Sequence, residues 1–324
     1  MPEPGPPRLS VVIPTHGTRE LTLRCLSSLA AAGRSDLEIV LVDDGSRDGT
    51  AEAAALFPAI QVLRNESPEG FTRAANRGLR AARGGVLLLL NSDTEVEPAG
   101  LGALLERFSS QPALGVIGAA LHYPDGSPQW SGGDEPSLLW LFGLASGIPP
   151  LLARLPLYRR AKPLTPESGP RRAGWVTGAA LAIRREAWAT AGPLDERFRL
   201  YAQDLDLCLR VRQAGWEIEI SPEFRVLHHH GATIGAQASA LGRQDPGLLW
   251  TDLLRWARKH KGEPWAAKAG RALRWGGLLR LAGRRLARPF LTASRREEGR
   301  ADDQVLRNAL EALRRELAIP GQPV

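Results

Sequence analysis

Short apolar blocks alternate with helix-spaced segments along the first part of the chain. Leu9 to Ile13 (LSVVI), Leu37 to Val42 (LEIVLV), Ile60 to Leu63 and Val86 to Leu90 (VLLLL) are apolar runs closed by turn residues, the pattern of strands buried on both faces. Thr18 to Gly33 carries Leu21, Leu26, Leu29 and Ala30 at helical spacing and ends on a glycine. Asp48 or Thr50 opens a helix that ends before Pro58, and Phe71 to Arg83 has an apolar stripe through Phe71, Ala74, Ala75 and Leu79. This alternation predicts an α/β fold with a doubly wound, mostly parallel sheet flanked by helices. A helix at Pro98 to Ser109 and a strand at Leu114 to Leu121 follow, and then residues 122–173 turn rich in Pro, Gly and Ser, a connection of the length that functional loops have. Trp175 to Ile183 is a predicted strand, Arg184 to Ala191 and Leu205 to Ala214 are predicted helices, and Glu217 to Ile220 is a short strand ahead of Pro222. From Leu248 the pattern is helical and Arg-rich, with a further charged helix at Ala301 to Leu317 that is a candidate for self-association. The predicted organisation is a disordered stretch 1–8, an α/β domain 9–240, and a basic helical region 241–324.

Candidate chemistry sits where the predicted strands end, because ligands of open α/β sheets bind at the carboxyl edge. Asp43-Asp44, Asp93, and Asp204 with Asp206 each follow an apolar segment, and His228 to His230 follow Val226-Leu227. Neither a GxGxxG nor a GxxxxGKS/T loop is present, so phosphates are not cradled by a glycine-rich turn. Oxygen and imidazole ligands suit Mg²⁺ or Mn²⁺, and the combination points to a nucleoside-diphosphate substrate bridged by a cation. Structural alternatives stand beside these readings: Asp43 as a turn or capping acid, Asp206 as a first-turn acid facing the helix dipole, and Trp175 as core.

The totals narrow the setting. Of 324 residues, 43% are apolar, enough for a globular core. Cys25 and Cys208 lie in apolar helical contexts and fit reduced thiols of a cytosolic protein. The start MPEPGPPRLS has no apolar core of a signal peptide. No apolar run reaches the roughly 20 residues of a membrane span. Leu138 to Leu157 comes nearest, but glycines, Pro149-Pro150 and Arg154 interrupt it, and it is expected to be an apolar surface loop or short helices touching an apolar partner. The net charge of +7 lies in the tail: residues 244–324 hold 17 Lys and Arg against 9 Asp and Glu, and residues 1–243 hold 25 against 26. With Trp250, Trp256, Trp265 and Trp275 among its arginines, the segment 248–290 fits an anionic membrane surface, the alternative being a helix packed on the α/β domain. The chemistry of the body argues against nucleic acid.

The pieces SVVIPTHG, IVLVDDGS, GFTRAANRGLRAARGG, LLLLNSDTE, WVTGAALAIRREAW, GPLDERFRLYAQDLDLCLRVRQAGW and VLHHHGAT, in that order, resemble family 2 glycosyltransferases of the GT-A fold, in the branch that includes rhamnosyltransferase-like enzymes. The resemblance spans residues 9 to 235 and implies roles. Pro14 and Thr15 match the loop against the nucleoside, and Asp44, with Asp43 beside it, matches the acid that reads the base edge. Gly70, Arg73 and Asn76 match the segment that closes over the nucleotide. Asp93 matches the metal-binding acid of the Asp-x-Asp signature, which here reads Asn91-Ser92-Asp93, so that Asn91 reaches ribose or water and Asp93 is the one ionised ligand of its loop. Asp204 matches the catalytic base, with Gln203 where the family normally has Glu; losing that neighbouring charge changes the pH profile. His228 matches the second metal ligand, with His229 next in line, and Trp175, Gly178 and Ala179 match a segment near the donor sugar and acceptor. The implied protein is an inverting, Mg²⁺- or Mn²⁺-dependent glycosyltransferase at the cytoplasmic side of the inner membrane. It would move a sugar from dTDP-rhamnose or a UDP-sugar to a glycan or polyprenyl-linked acceptor of cell-envelope polysaccharide. A nucleotidyltransferase is the second enzyme reading, although Pro14 to Gly17 lacks the Gly- and Arg/Lys-rich loop expected of one. A processive synthase would carry spans and a Gln-x-x-Arg-Trp motif. A catalytically silent nucleotide-binding adaptor is the reading from another class, and the intact Asp204 argues against it.

Overall fold

A computed structural model of the chain describes residues 7–57, 60–148, 169–198, 200–229, 245–290 and 292–319. It divides into two compact units, residues 1–133, 163–197 and 203–233 forming the first and residues 134–162, 198–202 and 234–324 the second. The second unit therefore takes in residues 134–162, 198–202 and 234–240, which the pattern reading placed in the α/β domain.

In the first unit the predicted alternation is present: β1 (Leu9–Thr15), α1 (Arg19–Ala31), β2 (Leu37–Asp43), α2 (Thr50–Ala54), β3 (Ile60–Arg64), α3 (Phe71–Ala81) and β4 (Val86–Leu90). Then come β5 (Thr94–Val96), α4 (Pro98–Ser110), β6 (Leu114–His122) and β7 (Gly132–Gly133). The second unit's α5 (Leu138–Ser146) intervenes before β8 (Arg171–Arg172), β9 (Trp175–Val176), β10 (Ala180–Arg184), α6 (Arg185–Ala191), α7 (Gln203–Gln213) and β11 (Glu217–His228). The main sheet has the order β3-β2-β1-β4-β10-β6-β11-β5, with β8 on β11. β1, β2, β3 and β4 pair in parallel, as do β6 and β11, while β10 runs antiparallel between β4 and β6. Every residue of β4 is buried, which is why its sequence is continuously apolar rather than alternating.

Two predicted strands differ from those observed. The run Trp175 to Ile183 breaks at residues 177–179: β9 pairs with β7 in a separate two-stranded sheet, and β10 enters the main sheet. The last strand does not stop before Pro222 but runs on to His228. Ser221 pairs with Ala119 and Arg225 with Ala120, so Pro222 lies in a bulge between ladder positions, where its missing N–H is no defect. Both cysteines are free and buried, and burial pushes each thiol up to about 12, leaving them protonated and inert.

The second unit is helical: α5, α8 (Pro246–Lys261), α9 (Glu263–Ala287) and α10 (Ala293–Ala318). The apolar run at Leu138, expected as a surface loop or short helices, forms the short helix α5 and packs on α9 of the same chain, so close that a Cβ at Gly276 would lie 2.6 Å from the carbonyl of Phe142. Its remainder, residues 149–157, lies outside the described residues. Trp250 and Trp256 of α8 are buried. Asp252 accepts the N–H of Tyr201 (3.2 Å) and pairs with Arg255, which with Arg258 reaches Glu316 on α10. The apolar side of α10 at Leu306, Ala309 and Leu313 is buried within the chain. No helix among the described residues is long and apolar enough to cross a membrane.

Helix α3 lies on β1 and β2 at a glycine. A Cβ at Gly78 would overlap Val12 Cγ1 and lie 2.9 Å from Val42 Cγ2, both on stiff β-branched side chains of the sheet. Gly78→Ala is expected to lower stability by about 1–3 kcal/mol despite the better helix propensity of Ala. Urea denaturation checks this, as a reduced midpoint with unchanged slope.

Candidate active site

The carboxyl ends of β1, β2 and β4 fall at one edge because their pairing is parallel and in step, Thr15 opposite Asp43 and Val12 opposite Leu89. Hydroxyls tie the loops that leave this edge. Thr15 Oγ1 contacts Thr22 Oγ1 (2.8 Å) and Thr18 Oγ1 (2.9 Å), and Thr18 Oγ1 contacts Ser92 Oγ (3.1 Å). His16 Nδ1 lies 2.7 Å from the Asp44 carbonyl, and Gly17 N–H donates to Ser46 Oγ. Thr15 and Ser92 are buried, so they act chiefly on neighbouring loops. Pro14 is a buried member of β1 opposite Val42.

The two adjacent acids are used differently. Asp44 is fully engaged: Oδ1 accepts from Asn65 Nδ2 (2.7 Å) and Glu69 N–H (2.8 Å), and Oδ2 accepts from Gly70 N–H (2.8 Å). It straps down the segment that leads into α3. Asp43 spends Oδ1 on the Ser46 N–H, while Oδ2 is buried with no hydrogen-bond partner among the described residues and lies 3.4 Å from Arg64 Nε. The turn between them needs Gly45, whose φ is +74° and whose Cβ would meet the Ser67–Pro68 backbone at 3.0 Å. The free acceptor is thus on Asp43, and the resemblance had attached the base-reading role to Asp44. Of the other residues in that segment, Arg73 is exposed and lies 3.4 Å from Glu196. Asn76 is buried, donates to Leu194 O and Glu196, and accepts from Leu194 N–H, which makes it a latch between α3 and the 194–196 loop.

The loop Asn91-Ser92-Asp93 meets the end of β11 through β5, where Thr94 pairs with His228. Asp93 Oδ1 lies 3.4 Å from His228 Nε2, with both side chains buried. His229 points elsewhere, its Nε2 lying 2.8 Å from Glu95 Oε1, as alternation along a strand requires. His230 lies outside the described residues. Asn91 Oδ1 is buried without a hydrogen-bond partner among the described residues. Carboxylate, imidazole and amide oxygen are donors that fit Mg²⁺ or Mn²⁺. Among the described residues no three His, Cys, Asp or Glu side chains form a complete metal cluster. A cation held here would take its remaining ligands from phosphate and water.

Asp204 stands in the first turn of α7. Its Oδ2 accepts from Gly178 N–H and its Oδ1 from Leu205 N–H, each at 2.8 Å. Desolvation lifts its pKa above the ordinary carboxylate value, and the N–H donors partly oppose that rise. The next residue, Ala179, accepts the Asn91 N–H at 2.9 Å. Residues 178 and 179 therefore join the Asn91 loop to the Asp204 carboxylate. Gln203 is buried with Oε1 unpartnered among the described residues. Asp206, fully buried, pairs with Arg210 at 2.8 Å and serves the helix rather than the edge. Trp175 is buried edge-on against Trp130, with ring centroids 5.3 Å apart. Reading the sequence missed Asn65, Glu196 and Gln129, all polar residues in loops whose partners are far away in the chain.

The model of the family described as "Glycosyl transferase family 2" matches residues 10–186. The chain is 32% identical over 308 residues to an N-acetylglucosaminyl-diphospho-decaprenol L-rhamnosyltransferase of Mycobacterium tuberculosis, covering 90% of this chain and 96% of that one. Among solved structures it is similar to a mannosyltransferase of Pyrobaculum calidifontis in complex with GDP-Man and Mn²⁺ (TM-score 0.59, 15% identity, 98% of this chain and 90% of that one). It is also similar to GalNAc-T7 with UDP, GalNAc and Mn²⁺ (TM-score 0.56, 20% identity), covering 79% of this chain and 48% of that one. These neighbours share the fold, which is GT-A.

Because Asp44 accepts three hydrogen bonds, Asp44→Ala strands the buried Asn65 amide and frees the Glu69 and Gly70 N–H groups to solvent, and is expected to lower stability by about 1–3 kcal/mol. Faster hydrogen exchange at the Glu69 and Gly70 amides of the ligand-free protein checks it. Asp43→Ala, which leaves that strap intact, should not accelerate exchange there.

Proposed function

The chain belongs to glycosyl transferase family 2 and is a glycosyltransferase, and we propose that it inverts the anomeric centre as it moves a sugar from a pyrimidine nucleoside-diphosphate donor to a lipid-linked glycan. The observation that carries this reading is the pair of consecutive residues Gly178 and Ala179, which bind Asp204 on one side and the Asn91 loop on the other. The base and the diphosphate-binding loop thereby share one rigid support. Asp43 Oδ2, a buried acceptor without a hydrogen-bond partner among the described residues, would receive the ring N–H of uracil or thymine. Asp93 and His228, with Asn91 beside them, would hold Mg²⁺ or Mn²⁺. When bound, that cation supplies positive charge to the departing diphosphate. Asp204 takes the proton of the acceptor hydroxyl as its oxygen attacks the anomeric carbon from the face opposite the diphosphate, so one C–O bond forms, one breaks, and the configuration inverts. The relative named as a rhamnosyltransferase acting on a decaprenol-linked sugar supports dTDP-rhamnose ahead of UDP-sugars, and a polyprenyl-diphosphate-linked acceptor, in cell-envelope polysaccharide synthesis.

Peripheral attachment to the inner membrane face is part of the proposal. With Trp250 and Trp256 buried, its support narrows to α9, where Trp275 (63% exposed), Leu279 (44%) and Leu286 (76%) project into solvent. Their spacing of four and seven puts them on one side of the helix. Exposed Lys268, Arg271, Arg274 and Arg285 accompany them, and no acid occurs between Pro264 and Phe290. An apolar stripe bordered by cations fits the interface of an anionic bilayer.

Asp204→Asn is expected to lower turnover by about 10²–10⁴-fold while donor binding persists; normal turnover of that variant would overturn the assignment of the base. In the wild-type enzyme the base must be ionised and its pKa is raised. The acid limb of kcat/KM should therefore lie above the ordinary aspartate value of about 3.9, with activity falling as the pH drops through it. For the membrane contact, replacing Trp275, Leu279 and Leu286 together by Ala should abolish co-sedimentation with phosphatidylglycerol vesicles. Neutral phosphatidylcholine vesicles should retain little even of the wild-type protein.

A further inference from the structure

After β6 the chain turns back on itself through residues 123–131. Tyr123 N–H donates to Ser127 O (2.8 Å), Gln129 N–H donates to Leu121 O (2.7 Å), and Leu121 N–H donates to Ser131 Oγ (3.0 Å). This places the Gln129 side chain, 3% exposed, against His228 at the far end of β11. The contact is made at both ends of the amide. Gln129 Nε2 donates to the His228 backbone carbonyl at 3.0 Å, and Gln129 Oε1 lies 2.7 Å from His228 Nδ1.

The two bonds fix each other's direction. A backbone carbonyl can only accept, so the amide end facing it is the NH₂ group and the other end is the oxygen. An amide oxygen can only accept, so the imidazole nitrogen facing it carries a proton. In the neutral ring the lone pair then belongs to Nε2, the nitrogen that lies 3.4 Å from Asp93 Oδ1. We propose that Gln129 is a positioning residue that locks His228 as the Nδ1–H tautomer, so that Nε2 presents its lone pair beside Asp93 to a divalent cation. The inference rests on the reading of Asp93 and His228 as the cation site. A histidine released from Gln129 could carry its proton on Nε2, the atom a cation needs unprotonated, and its ring would lose its orientation. The carbonyl contact adds a second effect, because it anchors the backbone of the residue whose ring is being aimed.

The tautomer can be read without any metal. In ¹⁵N-histidine-labelled protein, well above the ordinary imidazole pKa, long-range ¹H–¹⁵N correlation distinguishes the protonated from the unprotonated ring nitrogen, and the His228→Ala spectrum assigns the signal. The expected pattern is Nδ1–H with an unprotonated Nε2 in the wild-type protein, lost in Gln129→Met, which keeps the shape of the side chain but neither hydrogen bond. Gln129→Glu retains an acceptor for Nδ1–H but cannot donate to the His228 carbonyl, so it should keep Nδ1 protonated while losing the backbone anchor. In equilibrium dialysis of Mn²⁺ with dTDP or UDP present, Gln129→Met should retain metal about 10–100-fold more weakly than the wild-type protein. A wild-type His228 protonated on Nε2 would overturn the proposal, as would an unchanged tautomer and unchanged Mn²⁺ retention in Gln129→Met. Failure of the wild-type protein to retain Mn²⁺ at all would instead overturn the cation reading, which separates the two.

Discussion

Three residues of β5 pair antiparallel with the last three of β11, and on this short ladder the chemistry of the edge depends. It brings Asp93, which leaves β4, to His228, which ends a strand formed much later in the chain. Neither residue alone is a metal site: one carboxylate and one imidazole bind a hard cation weakly, and the phosphates of a substrate have to complete the shell. A cation site that closes only around a diphosphate couples metal and donor binding. The register of β5 on β11 also decides which histidine faces Asp93, since a slip of one residue would turn His229 towards it and His228 away.

The remainder of the edge is held by groups that do not themselves reach substrate. The Thr15 and Ser92 hydroxyls, the Asp44 carboxylate and the Asn76 amide join loops to one another, and each of these four side chains is itself buried. Preorganisation of this kind leaves Asp43 Oδ2 and Asn91 Oδ1 without a hydrogen-bond donor among the described residues, with Arg64 Nε 3.4 Å from the former. Asp43 and Asp44 illustrate the division: adjacent in sequence and alike in chemistry, one is consumed by backbone N–H groups and the other keeps an oxygen open. Burial of Asp204 belongs to the same pattern, because the desolvation that raises its pKa would make it a better proton acceptor in the role proposed for it.

Most of the sheet was legible in the sequence because fully buried strands are apolar without interruption, and β1, β2 and β4 announce themselves in this way. The order of the acids along the chain, together with the family resemblance, pointed to Asp93, Asp204 and His228, and the fold brings Asp93 to His228 and joins the Asn91 loop to Asp204 through residues 178 and 179. What was not legible depended on long-range pairing. The continuation of β11 through Pro222 needed knowledge of the bulge, since a proline inside a strand ordinarily argues against one. The break at residues 177–179 was hidden because Thr177-Gly178-Ala179 carries neither a proline nor a charge between two apolar runs, and Gly178 alone was a weak signal of it. Gln129 carried no signal at all, being one polar residue in a loop rich in Pro, Gly and Ser, and Asp43 could not be told from Asp44 before their donors were known. In the tail the period was visible but the buried side was not: Trp250 and Trp256 face the helical core, while Trp275 faces solvent.

The central claim, a donor site in which a divalent cation and a pyrimidine nucleotide sugar bind together, is tested most directly by thermal unfolding. The wild-type protein would be scanned with dTDP-rhamnose and with UDP-sugars, each in Mn²⁺ and in EDTA. Because a ligand that binds only the folded state raises its stability, at least one of these donors should raise the unfolding temperature in Mn²⁺ and lose most of that effect in EDTA. No shift with any donor, or an equal shift with and without the metal, would contradict the account.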